Sequence, residues 1–285
     1  MNNEVRLALQ RREFLLGTAA VSSALIAAPG EVLAAHHRRL EKIGIQLYTV
    51  RDQMSIDVPG TLQRIADIGY NEVEFAGYYE HSPAQIRGFL DDMGLISPSV
   101  HIGLKEMRVM AEKTIESTLG VGHEFIVLAW LAPEERKSLD QYKAHAELCS
   151  QFAEKCNAAG LKFAYHNHDF EFAAIDGVLP IDLLLSETDP DKVLIELDLY
   201  WITRGGGDPF TYFEKHPGRY PLCHVKDMND DGSMADVGAG NIDFAEIFAA
   251  SESAGFQHYY VERDDPPDSI VSAANSYAAA AKLEF

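Results

Sequence analysis

The sequence predicts one (β/α)8 TIM barrel that follows an N-terminal signal segment. From residue 43 onward, eight short apolar runs alternate with longer amphipathic stretches. Apolar strands separated by helices are typical of a parallel sheet buried on both faces, and eight such units close a barrel. An open doubly wound sheet is the runner-up. No G-x-G-x-x-G sequence follows the first strand, which weakens a nucleotide-binding variant of that sheet.

The eight apolar runs are interpreted as the barrel strands. Each has four to eight residues and is bounded by polar or glycine-containing segments. The predicted strands are Ile43–Val50, Glu72–Phe75, Ser97–Ile102, Phe125–Ala129, Lys162–His166, Val193–Asp198, Leu222–Lys226 and Tyr259–Glu262.

The amphipathic stretches between the strands predict helices. They include Thr61–Ile68, Pro83–Met93, Lys105–Leu119 and Leu139–Ala159. A glycine follows several helical patterns before the next strand, which suits a left-handed helix cap. These glycines are Gly69, Gly94, Gly160 and Gly255.

The first residues have the pattern of an export signal. Arg11 and Arg12 stand just before an apolar, alanine-rich run, and Val32-Leu33-Ala34 offers small residues for cleavage. We therefore predict a twin-arginine-type signal peptide over 1–34, recognised by the Tat export machinery, and a TIM-barrel domain over 35–285. The apolar run is too short to span a bilayer, so we expect no stable membrane anchor. The mature protein is expected to be periplasmic or secreted.

The composition narrows the choice of partner. The chain carries 24 basic and 44 acidic side chains, and its formal charge is −20. Because such a surface repels phosphate backbones, we expect no nucleic-acid partner. The three cysteines, Cys149, Cys156 and Cys223, form no even disulfide framework and lack metal-site spacing. They are predicted to be buried free thiols.

Polar side chains gather where the predicted strands end. In a TIM barrel the functional side chains come from the carboxyl ends of the strands. Asp198, His224 and Glu262 close three successive strands, so the barrel should direct them to one point. Two carboxylates and an imidazole in a dry mouth would be costly if unpaired. A divalent cation is a suitable partner, and mixed oxygen and nitrogen ligands suit Mn, Mg, Co or Zn.

These residues also carry a resemblance to a known family. The chain from about Ile43 to Glu262 resembles the xylose isomerase-like TIM barrels, the sugar phosphate isomerase/epimerase superfamily. The Y-H-N-H-D-F-E-F string is typical of one branch, whose members are often exported. The matching segments, which cover nearly the whole mature chain, are Gly44–Asp52, Tyr165–Phe172, Leu197-Asp198, His224–Asp227 and Val261-Glu262.

The resemblance implies a ligand set with one departure. Four residues of strands five to eight hold the metal in that superfamily, and they are typically Glu, Asp, His and Glu. Three carry over as Asp198, His224 and Glu262. Where relatives read Glu-Asn-His, this chain has His166 at the fourth position. Glu171 is the alternative fourth ligand, or otherwise a base or hydroxyl clamp.

The resemblance further implies a metal-dependent sugar isomerase or epimerase that acts through an enediolate. Glu262 or Glu171 is expected to remove the proton as general base. Lys226, Arg51 or His101 is expected to stabilise the oxyanion. Because the epimerases use the Glu of strand five as a second base, the departure there leaves the reaction open. Loss of a β-hydroxyl or glycosyl group makes a keto-sugar dehydratase or a 3-keto-glycoside lyase the alternative. Contacts to a small carbohydrate substrate are expected from Gln46, Tyr48, Arg51, His168, Trp201 and Arg263.

Two other protein classes share some features with a metal-dependent sugar enzyme. A non-catalytic periplasmic sugar-binding protein would keep the aromatic lining, but it would not need the intact trio of metal-ligand types. An abasic-site endonuclease would share the barrel, yet Trp201 stands where that branch often has His, and the surface charge is unsuitable. The sequence is also compatible with a homo-oligomer.

Overall fold

The computed structural model describes residues 38–285, which form a closed barrel of eight parallel strands. The predicted signal segment, residues 1–34, lies outside the described residues. The barrel strands are β1 (Gly44–Gln46), β2 (Glu72–Phe75), β3 (Ile96–Ile102), β4 (Phe125–Leu128), β5 (Lys162–His166), β6 (Val193–Asp198), β7 (Leu222–Val225) and β10 (His258–Val261). Around the barrel they neighbour one another in the order β1-β10-β7-β6-β5-β4-β3-β2. The predicted TIM barrel is confirmed, and the open sheet is excluded.

Helices alternate with the barrel strands along the chain. Ser82 begins the helix Pro83–Met93 with a capping box, in which its side chain and that of Gln85 each bond the other's backbone. Gly94 and Gly255 end the helices Pro83–Met93 and Ser251–Ala254 in the left-handed conformation that the sequence predicts for them. The helices are α1 (Arg51–Met54), α2 (Val58–Ile68), α3 (Pro83–Met93), α4 (Leu104–Val109), α5 (Ala111–Val121), α6 (Leu139–Ala158), α7 (Pro180–Ser186), α8 (Leu199–Arg204), α9 (Pro209–Lys215), α10 (Phe244–Ala249), α11 (Ser251–Ala254) and α12 (Ser269–Ala280).

Three segments differ from the predicted elements. The first strand ends at Gln46, because a 3-10 helix over Leu47–Val50 takes its second half and the Gln46 side chain caps that helix. The helix predicted over Lys105–Leu119 is two helices, α4 and α5, with a break at Met110. An antiparallel pair, β8 (Asp227–Met228) and β9 (Met234–Ala235), lies between β7 and β10 and was not predicted.

Alternation along the strands explains how the barrel interior is built. Outward residues of β6 such as Ile195 belong to the main apolar core, to which the helices also contribute. The inward positions begin with a separate apolar cluster that includes Leu222 and Tyr260. A Cβ on Gly44 would lie 2.4 Å from the Tyr260 ring, so only glycine leaves room for that tyrosine. The next inward positions toward the carboxyl ends, including Glu196, are polar and buried.

The remaining features of the described chain agree with the sequence. Cys149, Cys156 and Cys223 are buried free thiols, as predicted. Within residues 38–285, no helix has the length and apolar character needed to cross a membrane.

Candidate active site

The carboxyl ends of four neighbouring strands bring four metal-ligand types together. His166, Asp198, His224 and Glu262 are buried, and one donor atom from each lies within 4.8 Å of the others. The Nδ1 atom of His224 lies 2.9 Å from Oε2 of Glu262 and 3.8 Å from Oδ2 of Asp198. Nε2 of His166 lies 3.8 Å from the same Asp198 oxygen. We refer to these four residues as the upper ligand group.

Asp198 is held by one oxygen, whereas the other makes no hydrogen bond and lies 3.6 Å from Nζ of Lys226. Its Oδ1 accepts a hydrogen bond of 2.8 Å from the backbone N–H of Trp201 at the start of α8. The side chain of Asn167 accepts a hydrogen bond from the Asp198 backbone N–H. The Oδ2 atom is buried and has no hydrogen-bond partner in the described chain. Such atoms are costly unless they have a role, and a divalent cation would satisfy this one. The residues present therefore fit a metal.

A second polar layer lies one inward position deeper in the barrel. Oε2 of Glu196 lies 2.5 Å from Nε2 of His101, 3.1 Å from Nδ1 of His166 and 3.2 Å from Nε2 of His224. Glu74 accepts from the same His224 nitrogen at 2.7 Å. These carboxylates orient the imidazoles, as carboxylates beneath metal-binding histidines commonly do.

The deeper layer contains residues that were not assigned a role from the sequence. They are Glu74 of β2 and Glu196 of β6. The spacing that points to Glu196 is its position two residues before Asp198, because alternate residues of a strand face the same side. His101, His166, Glu196 and His224 form a further group with donor atoms within 4.8 Å. Both groups reach the cavity, this one through His101 and His166 and the upper ligand group through His166 and Glu262. The upper ligand group is the better candidate, because it contains all four residues that the sequence predicts as ligands.

Burial and neighbouring charges set the protonation states in the metal-free protein. Burial lowers the pKa of His166 to about 3, so its imidazole is neutral, the state that binds metals. Burial raises the pKa of Asp198 to about 7, against the opposing effects of Lys226 and His224. Burial alone would raise the pKa of Glu262, but Lys226 and His224 outweigh it and hold that pKa well below its usual range. Glu262 is therefore an ionised carboxylate at the cavity wall.

Lys226 places a positive charge beside this carboxylate. Its Nζ donates to Oε2 of Glu262 at 2.9 Å and to Oδ1 of Asp264 at 2.7 Å. Burial alone would lower the pKa of Lys226, but Glu262, Asp198 and Asp264 raise it above its ordinary value. The result is a buried ammonium that lines the cavity next to a carboxylate able to act as a base.

A cavity of about 800 Å³ opens above the upper ligand group. Tyr48, His168 and Trp201 line it, as expected for substrate-binding residues. His168 stacks on Phe170, with ring centres 5.1 Å apart and planes at 9°. Nδ1 of His168 and Nε1 of Trp201 are buried without hydrogen-bond partners in the described chain. Both ring nitrogens therefore have hydrogen-bonding capacity that the described chain does not use.

Three of the predicted substrate contacts lie away from the cavity wall. Gln46 is fully buried beneath the cavity and donates to Glu74 at 2.8 Å. Arg51 donates to the carbonyl oxygen of Asp264, because the 3-10 helix after β1 turns it toward the outside of the mouth. Arg263 forms an ion pair of 2.8 Å with Asp236. Since none of the three lines the cavity, their placement does not suit the predicted substrate contact.

Glu171 lies outside both ligand groups. A 3-10 helix over Asp169–Phe172 turns its side chain into the protein, where Oε1 accepts from the Tyr165 hydroxyl and Oε2 accepts from the His168 backbone N–H. Glu171 is fully buried and does not line the cavity. This placement suits the support of the His168 loop rather than the base or fourth-ligand role predicted from the sequence. His166 is the residue of β5 that joins the upper ligand group.

The pKa of Glu171 leads to a pH-dependent stability. Burial raises this pKa to about 8, against the hydrogen bonds from Tyr165 and His168. The folded protein therefore keeps a proton that the unfolded chain has already lost above the ordinary carboxyl pKa. By linkage, Glu171 reduces the free energy of unfolding progressively as the pH rises from that ordinary value to about 8.

We expect Glu171→Gln to become increasingly stable relative to the unmodified protein as the pH rises. Glutamine keeps an oxygen that accepts from the His168 backbone N–H, and its amide NH2 can donate to the Tyr165 oxygen in place of the bond that the Tyr165 hydroxyl donates to the carboxyl. Urea unfolding of both proteins at about pH 5 and about pH 9 measures the difference. A difference that stays constant with pH would show that Glu171 ionises normally in the folded protein.

Comparisons with known proteins agree with this fold. Residues 62–281 match the family model described as the xylose isomerase-like TIM barrel. An inosose dehydratase of Geobacillus kaustophilus is 23% identical over 79% of this chain and 88% of that protein. The crystal structure of a sugar phosphate isomerase/epimerase from Parabacteroides distasonis is 27% identical, with a TM-score of 0.73 over 90% of this chain and 99% of that one. The IOLI protein, crystallised with a zinc atom, is 14% identical with a TM-score of 0.70 over 85% of this chain and 97% of that one, which shows the fold alone.

Proposed function

Because the chain belongs to the xylose isomerase-like TIM barrel family, we propose that it is a metal-dependent enzyme that removes the proton next to a carbonyl in a keto sugar or keto polyol. The observation that carries the proposal is the upper ligand group at the floor of the cavity, which includes a buried Asp198 oxygen without a hydrogen bond. The sugar-modifying activities in the names of the relatives support the substrate class.

Some residues of the site would hold a cation, and others would move a proton or bind the substrate. His166, Asp198, His224 and Glu262 would hold the ion. When bound, a divalent cation lowers the pKa of the C–H bond beside a carbonyl oxygen. Glu262, held ionised, accepts the proton from carbon. Lys226 donates a hydrogen bond to the oxygen on which negative charge develops. His168 and Trp201 orient the hydroxyl groups of the ring through their free nitrogens.

Elimination of a β-substituent is the outcome that this arrangement favours. Epimerisation needs a base on each face of the substrate, and β5 offers His166 within the ligand group rather than a carboxylate. Elimination needs one base and one proton donor, and Glu262 and Lys226 lie 2.9 Å apart. Glu262 takes the proton, the C–H electron pair forms the double bond, and the departing oxygen takes a proton from Lys226. The proton then passes from Glu262 to Lys226 across the 2.9 Å between them. The relatives named inosose dehydratase support this direction.

Isomerisation or epimerisation is the second candidate. The Parabacteroides distasonis protein named a sugar phosphate isomerase/epimerase matches nearly the whole described chain. Both outcomes begin with the same loss of a proton from carbon.

Proton exchange in heavy water tests the shared step and separates the outcomes. The mature protein, loaded with Mn, Co, Zn or Mg, is incubated with an inosose and with keto sugars, and NMR follows the hydrogen beside the carbonyl. We expect exchange accompanied by an unsaturated product. Exchange with a stereoisomer as product would favour epimerisation. If no keto sugar or inosose exchanges its proton, the proposed function is wrong.

Export is part of the same proposal. We propose that the enzyme works outside the cytoplasm, because Arg11 and Arg12 precede the apolar run of a twin-arginine signal. Cell fractionation of the full chain and of an Arg11→Lys/Arg12→Lys variant tests this. The unmodified chain should be found outside the cytoplasm in shortened form, and the variant should remain inside. If the unmodified chain and the variant both remain in the cytoplasm, the proposal is contradicted.

A further inference from the structure

The cavity extends well beyond the upper ligand group. Sites for drug-sized ligands span roughly 300–1,000 Å³, and the volume here, about 800 Å³, lies toward the upper end. A single sugar ring is smaller than such ligands. Helices α4 and α5 and the loop after β4 also line the cavity, although none of their residues belongs to the ligand group. The space therefore offers room for a second ring.

An aromatic and guanidinium surface lies in this part of the cavity. Trp130, in the loop after β4, lines the cavity and is 46% exposed. The guanidinium carbon of Arg136 lies 3.4 Å from the ring centre of Phe170 and 5.9 Å from that of Trp130. We call Trp130, Arg136 and Phe170 the distal subsite.

Arg136 has donors that the protein does not use. Its Nε is buried and has no hydrogen-bond partner, and within residues 38–285 the guanidinium makes no ion pair. This is unusual in a domain that carries such an excess of carboxylates. Phe170 covers the guanidinium through a cation–π contact, so its ligand-binding capacity is at its edge. An arginine edge binds paired oxygens in one plane, such as adjacent sugar hydroxyls.

The distal subsite shares a wall with the reaction site. Phe170 stacks on His168, whose ring centre lies 4.9 Å from that of His166. A continuous series of side-chain contacts therefore runs from Arg136 through Phe170 and His168 to the upper ligand group. A ligand with two linked rings could contact both ends of this wall.

Charge favours a neutral occupant. The cavity lining includes the carboxylates of Glu106, Asp169, Glu262 and Asp264, whereas its lysines and arginines are Lys113, Arg136 and Lys226. Two of these carboxylates already pair with Lys226. An added anion would meet the remaining carboxylates, so an uncharged polyol ring is the better match.

From these observations we infer that the distal subsite binds the second ring of a two-ring carbohydrate whose first ring lies over the upper ligand group. The inference rests on the proposed function, because the proposed reaction site holds the first ring.

Sugar binding tests the subsite without any reaction. Calorimetric titration of the metal-loaded mature protein compares glucose with cellobiose and maltose. We expect at least one of the two disaccharides to bind about tenfold more strongly than glucose. Its second ring gains a hydrogen bond from the charged Arg136 and a stacking contact with Trp130. Trp130→Ala and Arg136→Met should each remove this preference while the binding of glucose is unchanged. Ile56→Ala and Arg64→Met, which change residues outside the cavity, should retain the preference.

The outcomes separate this inference from the proposed function. Equal binding of glucose and both disaccharides, or a preference that survives in Trp130→Ala and Arg136→Met, would overturn the subsite. Proton exchange on an inosose without a disaccharide preference would leave the proposed function standing and remove the subsite. A disaccharide preference that depends on Trp130 and Arg136, without exchange on any keto sugar, would retain the subsite as a binding site and refute the function.

Discussion

Replacing Asp198 with asparagine, or His224 with alanine, is expected to abolish metal binding while the barrel remains folded. Asparagine keeps an acceptor for the Trp201 backbone N–H but removes the negative charge from the oxygen that has no hydrogen bond. Burial raises the pKa of Asp198 to about 7, so the unfilled site bears the cost of a desolvated carboxylate. Metal-free Asp198→Asn should therefore be at least as stable as the metal-free unmodified protein.

Two measurements report this effect without reference to catalysis. Elemental mass spectrometry should find about one equivalent of metal in the unmodified protein and none in either variant. Added metal should raise the melting temperature of the unmodified protein alone, since a ligand at a hundred times its Kd stabilises by about 2.7 kcal/mol. Glu171→Gln is the matched control, because this buried carboxylate lies outside the ligand groups. Metal lost equally from the control would assign Glu171 to the site, and metal retained in both site variants would refute the upper ligand group.

Glu262→Gln is expected to lower turnover by about 10² to 10⁴ in rate, the usual contribution of a general base. The amide oxygen can still approach a cation, whereas the group can no longer accept a proton from carbon. Lys226 also loses the carboxylate with which it pairs at 2.9 Å. We therefore expect proton exchange to fall much further than metal content.

Exchange rate and metal content measured on the same samples distinguish the roles of Glu262. A parallel loss of both would mean that Glu262 acts only as a ligand. If Glu262→Gln exchanges the proton at the unmodified rate and keeps its normal metal content, Glu262 is not the base. Asp264→Asn provides a comparison, because Asp264 contacts the same ammonium but lies outside the ligand group. A smaller loss of exchange is expected there.

The sequence was most informative where the chemistry depends on position along one strand. Asp198 and His224 close adjacent parallel strands, and the register places them side by side. Their convergence follows from the barrel alone, because the carboxyl ends of all its strands meet at one mouth. The contacts of the deeper layer could not be predicted from position along one strand. Glu74 reaches His224 only because closure of the barrel joins residues 150 positions apart.

Side-chain direction explains the assignments that the structure does not support. Arg51 and Glu171 both follow a strand end closely, yet each belongs to a short turn of helix or its continuation rather than to a strand. One turn directs Arg51 to the Asp264 carbonyl, and the other directs Glu171 to Tyr165. Proximity to a strand end therefore did not predict access to the cavity.

The sequence by itself determined the barrel, its polar mouth and its acidic surface, because apolar periodicity and residue type are local properties of the chain. Only the tertiary structure decided which carboxylates share the buried imidazoles, and which aromatic side chains continue from His168 to Arg136 along the cavity wall. These features depend on distances between residues far apart in the chain and on the turns that orient each side chain. The pattern of any single segment contains neither.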